Sequence, residues 1–281
     1  MREVGKLGVV AIGVATLLVF SRSPQPVRAA SASGESLMRA VDEREEGEDV
    51  EWQIEMKLID RQGQTRTRTA KLFRKKFVQD GRRQDRQVTI FLTPANIRKT
   101  GLLTFDNRGV GADDDVWLYL PALRKLRRIP ASERGDNFVG TDFTYEDVKG
   151  GFAWSDYAYV PRGERDWEDG GQTYKVTVLE ARPKTLELER SLGFSKAEIL
   201  VRPDVALRVQ QKFYDAQGNL DRTMTARDIR QIDGIWTFLR LEAENHETNH
   251  RTLMLLNAVR YNQKLPPDFF NERTLLAERV Q

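Results

Sequence analysis

Asp115-Val-Trp-Leu-Tyr-Leu-Pro-Ala-Leu-Arg-Lys-Leu-Arg-Arg-Ile129 is followed closely by Asp136-Asn-Phe-Val-Gly-Thr-Asp-Phe-Thr-Tyr-Glu-Asp147. The first stretch has the pattern of a hairpin. Val116, Leu118 and Leu120 share one face of an extended strand, and Trp117 and Tyr119 share the other. Pro121-Ala122 turns the chain, and Leu123, Leu126 and Ile129 are apolar on the return. A strand apolar on both faces belongs to a sheet that packs on one side and meets a second apolar surface on the other.

Upstream, Val50, Trp52, Ile54, Met56 and Leu58 alternate strictly with Glu51, Gln53, Glu55 and Lys57, which predicts a half-buried strand. Before it, Ser33 to about Arg44 has a helical pattern with Leu37, Met38 and Val41 on one face and Ser33 as N-cap. Thr65–Val78, Gln87–Leu92 and Gly101–Phe105 continue as strands, with a helical turn after Pro94. Downstream of the hairpin, Pro130 to about Gly171 is irregular and rich in aromatics. Strands resume at Tyr174–Leu179, Ala197–Val201, Leu207–Tyr214, Asp221–Ile232, Ile235–Ala243 and Leu253–Tyr261. Asp233-Gly234 is a tight hairpin turn. Leu265-Pro-Pro-Asp-Phe-Phe opens a C-terminal helix to about Glu278. Turns every eight to twelve residues predict one antiparallel sheet of ten or so strands, which must curl or be covered. No repeat or composition shift divides the chain, so a single domain over residues 30–281 is expected.

The 281 residues carry 45 basic and 42 acidic side chains, a formal charge of +3. Residues 1–29 hold Arg2, Lys6, Arg22 and Arg28 against Glu3, and without them 41 of each sign remain. The excess lies in the leader, and nothing in the charge balance supports nucleic-acid binding. That leader has a charged start, an uncharged run from Leu7 to Phe20 and Val27-Arg28-Ala29 at a small-residue cleavage position. It is expected to be a cleaved secretory signal, cut after Ala29 or Ala32. The run is short for a spanning helix, which needs about 20 residues. There is no cysteine, which excludes disulfides, thiol catalysis and a lipidated N-terminal cysteine.

Candidate chemistry is sparse. His246-Glu-Thr-Asn-His250 matches the H-E-x-x-H pattern, in which two histidines one helical turn apart share zinc and the glutamate activates its water. Here the motif lies between two strands, which predicts a hairpin tip rather than a helix. A zinc hydrolase using His246, Glu247 and His250 is therefore the weaker alternative. These are the only histidines, and no G-x-S-x-G elbow exists to complete a hydrolase triad. Asp113-Asp-Asp115 lacks calcium-loop spacing and is expected to be a solvated turn. No catalytic residue, metal or cofactor is expected. Arg124, Lys125, Arg127 and Arg128 form the densest basic cluster. It could meet an anionic headgroup or an acidic partner, or be neutralised internally by Asp142, Glu146 and Asp147.

The hairpin and the Phe-Val-Gly-Thr-Asp-Phe-Thr-Tyr-Glu-Asp segment together resemble the outer-membrane lipoprotein-sorting protein family, relatives of the LolA and LolB carriers. The likeness is tight over about 115–148 and looser but collinear from about residue 35 to the C-terminus. Thr141 stands where serine is common. The resemblance implies an α+β, mainly β fold: an incomplete β-barrel of curled antiparallel sheet, covered by helices, with a lipid-sized cavity between. It implies a periplasmic carrier of a lipid or lipoprotein acyl chain, working between membranes or beside an RND-type exporter. Cavity candidates are then Trp117, Leu118, Tyr119, Leu120, Phe138, Phe143, Tyr145 and Trp154. Arg124, Arg127 and Arg128 are candidate contacts for a headgroup or partner. A regulatory or scaffold protein binding a polypeptide on its concave face is a second possibility.

Overall fold

In the computed structural model, residues 27–79, 82–107, 114–150 and 153–276 are described. The predicted leader up to residue 26 and the Gly109–Asp113 turn lie outside them, as do Phe152 and the end of the expected C-terminal helix. Helix α1 (Val27–Glu43) leads into β1 (Asp49–Ile59), β2 (Thr65–Gln79), β3 (Arg82–Thr93), β4 (Gly101–Asn107), β5 (Asp115–Leu120) and β6 (Lys125–Arg128). After α2 (Tyr145–Lys149) come β7 (Tyr157–Asp169), β8 (Gln172–Pro183), α3 (Leu186–Leu192), β9 (Lys196–Arg202) and β10 (Leu207–Tyr214). The chain ends through β11 (Leu220–Ile232), β12 (Ile235–Asn245), β13 (His250–Tyr261) and α4 (Glu272–Leu276).

The described strands make one 13-stranded sheet in the order β6-β5-β4-β3-β2-β1-β13-β12-β11-β10-β9-β8-β7. Every neighbouring pair is antiparallel. The first six strands thus run outward from the centre to one edge, and the last seven return from the other edge to close on β1. Strand twist accumulates over so many strands and curls the sheet, but β6 and β7 do not pair, so the barrel stays incomplete. Because these edges are consecutive in sequence, residues 129–156 must cross from one to the other.

The alternation read in β1 is realised in its packing. Ile54, Met56 and Leu58 are buried in the main core on the concave face, while Gln53 is exposed. Val116 and Leu118 of β5 join the same core, as do Phe138, Phe143, Tyr157 and Tyr159. A second cluster lies on the outer face, where Phe73, Val88, Leu103 and Tyr119 pack under Phe270 and Leu275 of the C-terminal segment. Both faces of β5 are therefore covered, which explains its doubly apolar pattern.

Three sequence expectations need correction. Tyr157–Asp169 is a long edge strand, where an irregular stretch is predicted; the register shift between Pro161 and Glu164 and a run of exposed polar residues mask its alternation. Pro161 is tolerated because the strand lies at the sheet's edge. The expected C-terminal helix is, within the described residues, a 3-10 turn at Pro267–Phe269 and the short α4. Helix α3, capped by Thr185 Oγ1 accepting from Leu188 N, has no counterpart in the sequence reading.

Candidate functional site

The segment crossing the gap explains the signature residue by residue. Val139 and Gly140 adopt left-handed φ values of 49° and 71°, and the tight loop they make is closed by Phe138 N donating to Phe143 O at 2.7 Å. Thr141 Oγ1 donates to Phe138 O at 2.8 Å, so threonine or serine serves equally. Thr144 caps α2: its hydroxyl accepts from Asp147 N, while Asp147 Oδ2 accepts from Thr144 N. Tyr145 packs edge-on against Phe138.

Three polar anchors hold this segment to the sheet. Asp142 is buried; its Oδ2 lies 2.6 Å from His250 Nδ1 and accepts from Thr252 Oγ1 at 2.7 Å, both on β13. Asp147 pairs with the buried Arg222 of β11. Lys149 is buried against Asp114, with Glu146 Oε1 at 3.0 Å and Asp106 Oδ1 at 4.0 Å. Burial lowers the Lys149 pKa, but Glu146, Asp106 and Asp114 outweigh it and leave the ammonium above its ordinary value. Burial, the largest effect on Glu146, raises that carboxyl. The three acids of this motif that could have neutralised Arg124, Arg127 and Arg128 are thus engaged elsewhere.

Between the concave face, α1 and this crossing segment lies a cavity of about 190 Å³. Its walls include Met38 of α1, Ile54 and Met56 of β1, Phe238 of β12 and Met254 of β13. Phe138, Phe143 and Trp154 close it from the crossing segment. Gln87 of β3 also faces it and donates from Nε2 to Val148 O at 2.6 Å, tying wall to plug. Helix α1 reaches this position because Gly34 seats against Tyr159: a Cβ there would fall 2.8 Å from Tyr159 Cβ.

Of the cavity candidates, Phe138, Phe143 and Trp154 come together on the wall. Leu118, Leu120 and Tyr145 face the same side but pack in the core beyond it. Trp117 and Tyr119 are on the outer face, Trp117 edge-on to Phe105 at 5.1 Å, and so do not meet the cavity. Arg124, at the hairpin turn with φ 47°, is exposed. Arg127 pairs with Glu133, and Arg128 with Asp115 at 2.5 Å, all outside the cavity wall. The wall residues of β1 were marked by their alternation; those of β12 and β13 carried no separate signal.

His246 and His250 flank a turn between β12 and β13, as expected for a hairpin tip. They are not idle, however: His246 Nε2 lies 2.8 Å from Thr223 Oγ1, and His250 meets Asp142. The two rings are taken up by different partners.

A family model described as "Uncharacterized protein" matches residues 83–277. No curated protein matches significantly. Among solved structures, a DUF1329 family protein from Desulfovibrio piger is 27% identical, with 88% of this chain and 99% of that one covered and a TM-score of 0.79. A domain described as an outer membrane lipoprotein-sorting protein, from Vibrio parahaemolyticus, is also 27% identical over 88% and 99%, with a TM-score of 0.77. A LolA superfamily protein from Nitrosomonas europaea is 16% identical over 86% and 98%, with a TM-score of 0.61, a likeness of fold. The chain belongs to the matched family, and its curled sheet is the fold of the DUF1329 and LolA-like lipoprotein-sorting proteins.

Proposed function

We propose that this protein is a non-catalytic periplasmic carrier that holds an acyl chain of a lipid or lipoprotein in the cavity and passes it between membranes, or to and from an RND-type exporter. The observation that carries this reading is an apolar-walled cavity enclosed between the concave face, α1 and the crossing segment, on a fold shared with a protein described as lipoprotein-sorting. Each CH₂ taken from water contributes about 0.8 kcal/mol, so one chain binds usefully after the cost of association. At about 190 Å³ the cavity is smaller than the ~300–1,000 Å³ of drug-sized pockets. It therefore suits a single chain, and a multi-chain anchor requires the cover to move. The polypeptide-binding alternative needs an open concave face, which the crossing segment fills. The zinc-hydrolase alternative needs two histidines that converge, and these have separate partners.

The test is organic extraction of the protein purified from an exporting host, followed by mass spectrometry. A stoichiometric acyl-chain lipid supports the reading. Protein free of lipid that also takes up no fluorescent fatty acid contradicts it.

A further inference from the structure

One end of the cavity is built differently from the rest. Arg44, just after α1, and Arg74 of β2 both line it, beside Trp52 and Glu46. Glu46 is the shared anion of three guanidiniums: Arg44 at 2.7 Å, Arg83 at 3.2 Å and Arg74 at 3.4 Å. Arg83 also grips Asp85 through two bonds of 2.9 and 2.7 Å. Three cations against these two carboxylates leave one positive charge in excess. Asp42 and Arg208, which face the same cavity, cancel each other in that count, as do Asp147 on the cavity wall and its partner Arg222. Arg44 and Arg74 keep only 18% and 15% of their side-chain surface in solvent, so water does little to satisfy them.

The polar groups here are donors in search of acceptors. A guanidinium has five N–H groups. Arg44 uses its own on Glu46, Trp236 O and Glu45 O. Arg74 has, among the described residues, the Glu46 ion pair and the face of Trp52 at 6.0 Å. The indole N–H of Trp52 is buried and has no acceptor among the described residues. Burial depresses the Arg44 pKa, and the neighbouring Arg74 and Arg83 work against the favourable pulls of Glu46 and, more weakly, Tyr261. A ligand bringing an anionic oxygen to this place would give Arg44 and Arg74 a further acceptor and cancel the excess charge together.

We infer that the Arg44–Arg74–Trp52 end of the cavity is a headgroup site for a single-chain amphiphile bearing an anionic oxygen head, a carboxylate or a phosphate. This rests on the carrier reading and specifies its cargo class. The head meets Arg74 and Arg44 beside Trp52, and the chain runs along β1 past Ile54 and Met56 toward Phe143. Trp52 to Met56 covers about 13 Å at ~3.3 Å per residue, a path lined with apolar groups. The headgroup contact thus belongs inside the cavity and not on the basic hairpin of Arg124, Arg127 and Arg128.

The experiment is displacement of a fluorescent fatty acid from the full exported protein by three probes of equal chain length: dodecanoate, dodecyl phosphate and dodecanol. The two anions should bind roughly tenfold or more tightly than the alcohol, since charge-assisted hydrogen bonds are the stronger kind. The tighter anion identifies the source of the head. Within Arg74→Gln the anions should fall to the alcohol's level, so that the anion-to-alcohol ratio collapses, and Arg74→Lys should restore part of the preference. If dodecanol binds as tightly as the anions to the native protein, the headgroup site is refuted and the carrier reading stands. That comparison needs no variant to fold. If none of the three displaces the probe and no fluorescent fatty acid binds, the carrier reading fails and this inference with it.

Discussion

At the scale of single residues, the signature is a set of attachments. Lys149 is the shared cation of Asp106, Asp114 and Glu146, and it is buried with them. Removing one partner of a buried charge group leaves the others uncompensated, a cost of about 3–5 kcal/mol. Lys149→Met should lower the unfolding free energy from urea titration by an amount of that order; a change under about 0.5 kcal/mol, usual for surface positions, would show that the cluster does not anchor the crossing segment. The motif itself was visible in the sequence, but its partners were not. Arg222, Thr252 and His250 lie some 75 to 110 positions away, and no local pattern marks such long-range pairs. His250 illustrates the difficulty: its place at a hairpin tip was legible, while its bond to Asp142 depends on a segment that only the curled sheet brings near.

At the scale of elements, strands whose alternation matches their burial were readable, even across the register shifts at β10 and β13, and a long polar edge strand was not. β1 is paired on both sides and half buried, so its period of two is clean. β7 has a register shift and one open side, so its polar residues carry no pattern. The C-terminal segment is held less by helix than by anchors. Asp49 Oδ1 accepts from Gln263 N at 2.7 Å and Oδ2 from Leu265 N at 2.9 Å, launching the chain across the outer face. Phe270 then fills the outer cluster with no exposure, edge-on to Phe77 and Phe269. Truncating such a side chain costs about 3–5 kcal/mol. Phe270→Ala should therefore destabilise strongly yet leave fatty-acid affinity unchanged below the unfolding transition, because the outer cluster shares no residue with the cavity wall. Affinity lost in step with stability would mean that the two faces are coupled.

At the scale of the whole molecule, the curling of the sheet was foreseeable from strand number and the open barrel from the family resemblance, but the position of its cavity was not, since that depends on where residues 129–156 cross. The crossing segment and the start of β7 also fix the response to alkali. Burial raises the Tyr157 and Tyr159 hydroxyls above their ordinary 10.0, and Lys149 lies above its ordinary 10.5. As pH rises past these unfolded values, the unfolded chain releases protons that the folded one retains, so stability is present below them and declines above. Urea unfolding should show a falling midpoint above pH 10.0. Tyr159→Phe should shallow that fall and, by removing a buried hydroxyl that has no partner among the described residues, hold or raise stability at neutral pH by up to about 1 kcal/mol. A slope identical to that of the native protein would contradict the assignment.

The central claim is that the space under the plug receives an acyl chain. Phe238 is on its wall, edge-on to Trp52 at 6.1 Å, and is only partly buried, so a charge there is tolerated by the fold and not by a chain. The direct measurement is titration of a fluorescent fatty acid into native protein and Phe238→Glu, with circular dichroism and urea unfolding confirming that both are folded. Saturable one-to-one binding to the native protein, abolished or weakened at least about tenfold in Phe238→Glu, is the predicted result; equal binding by the two folded proteins, or none by either, would contradict it.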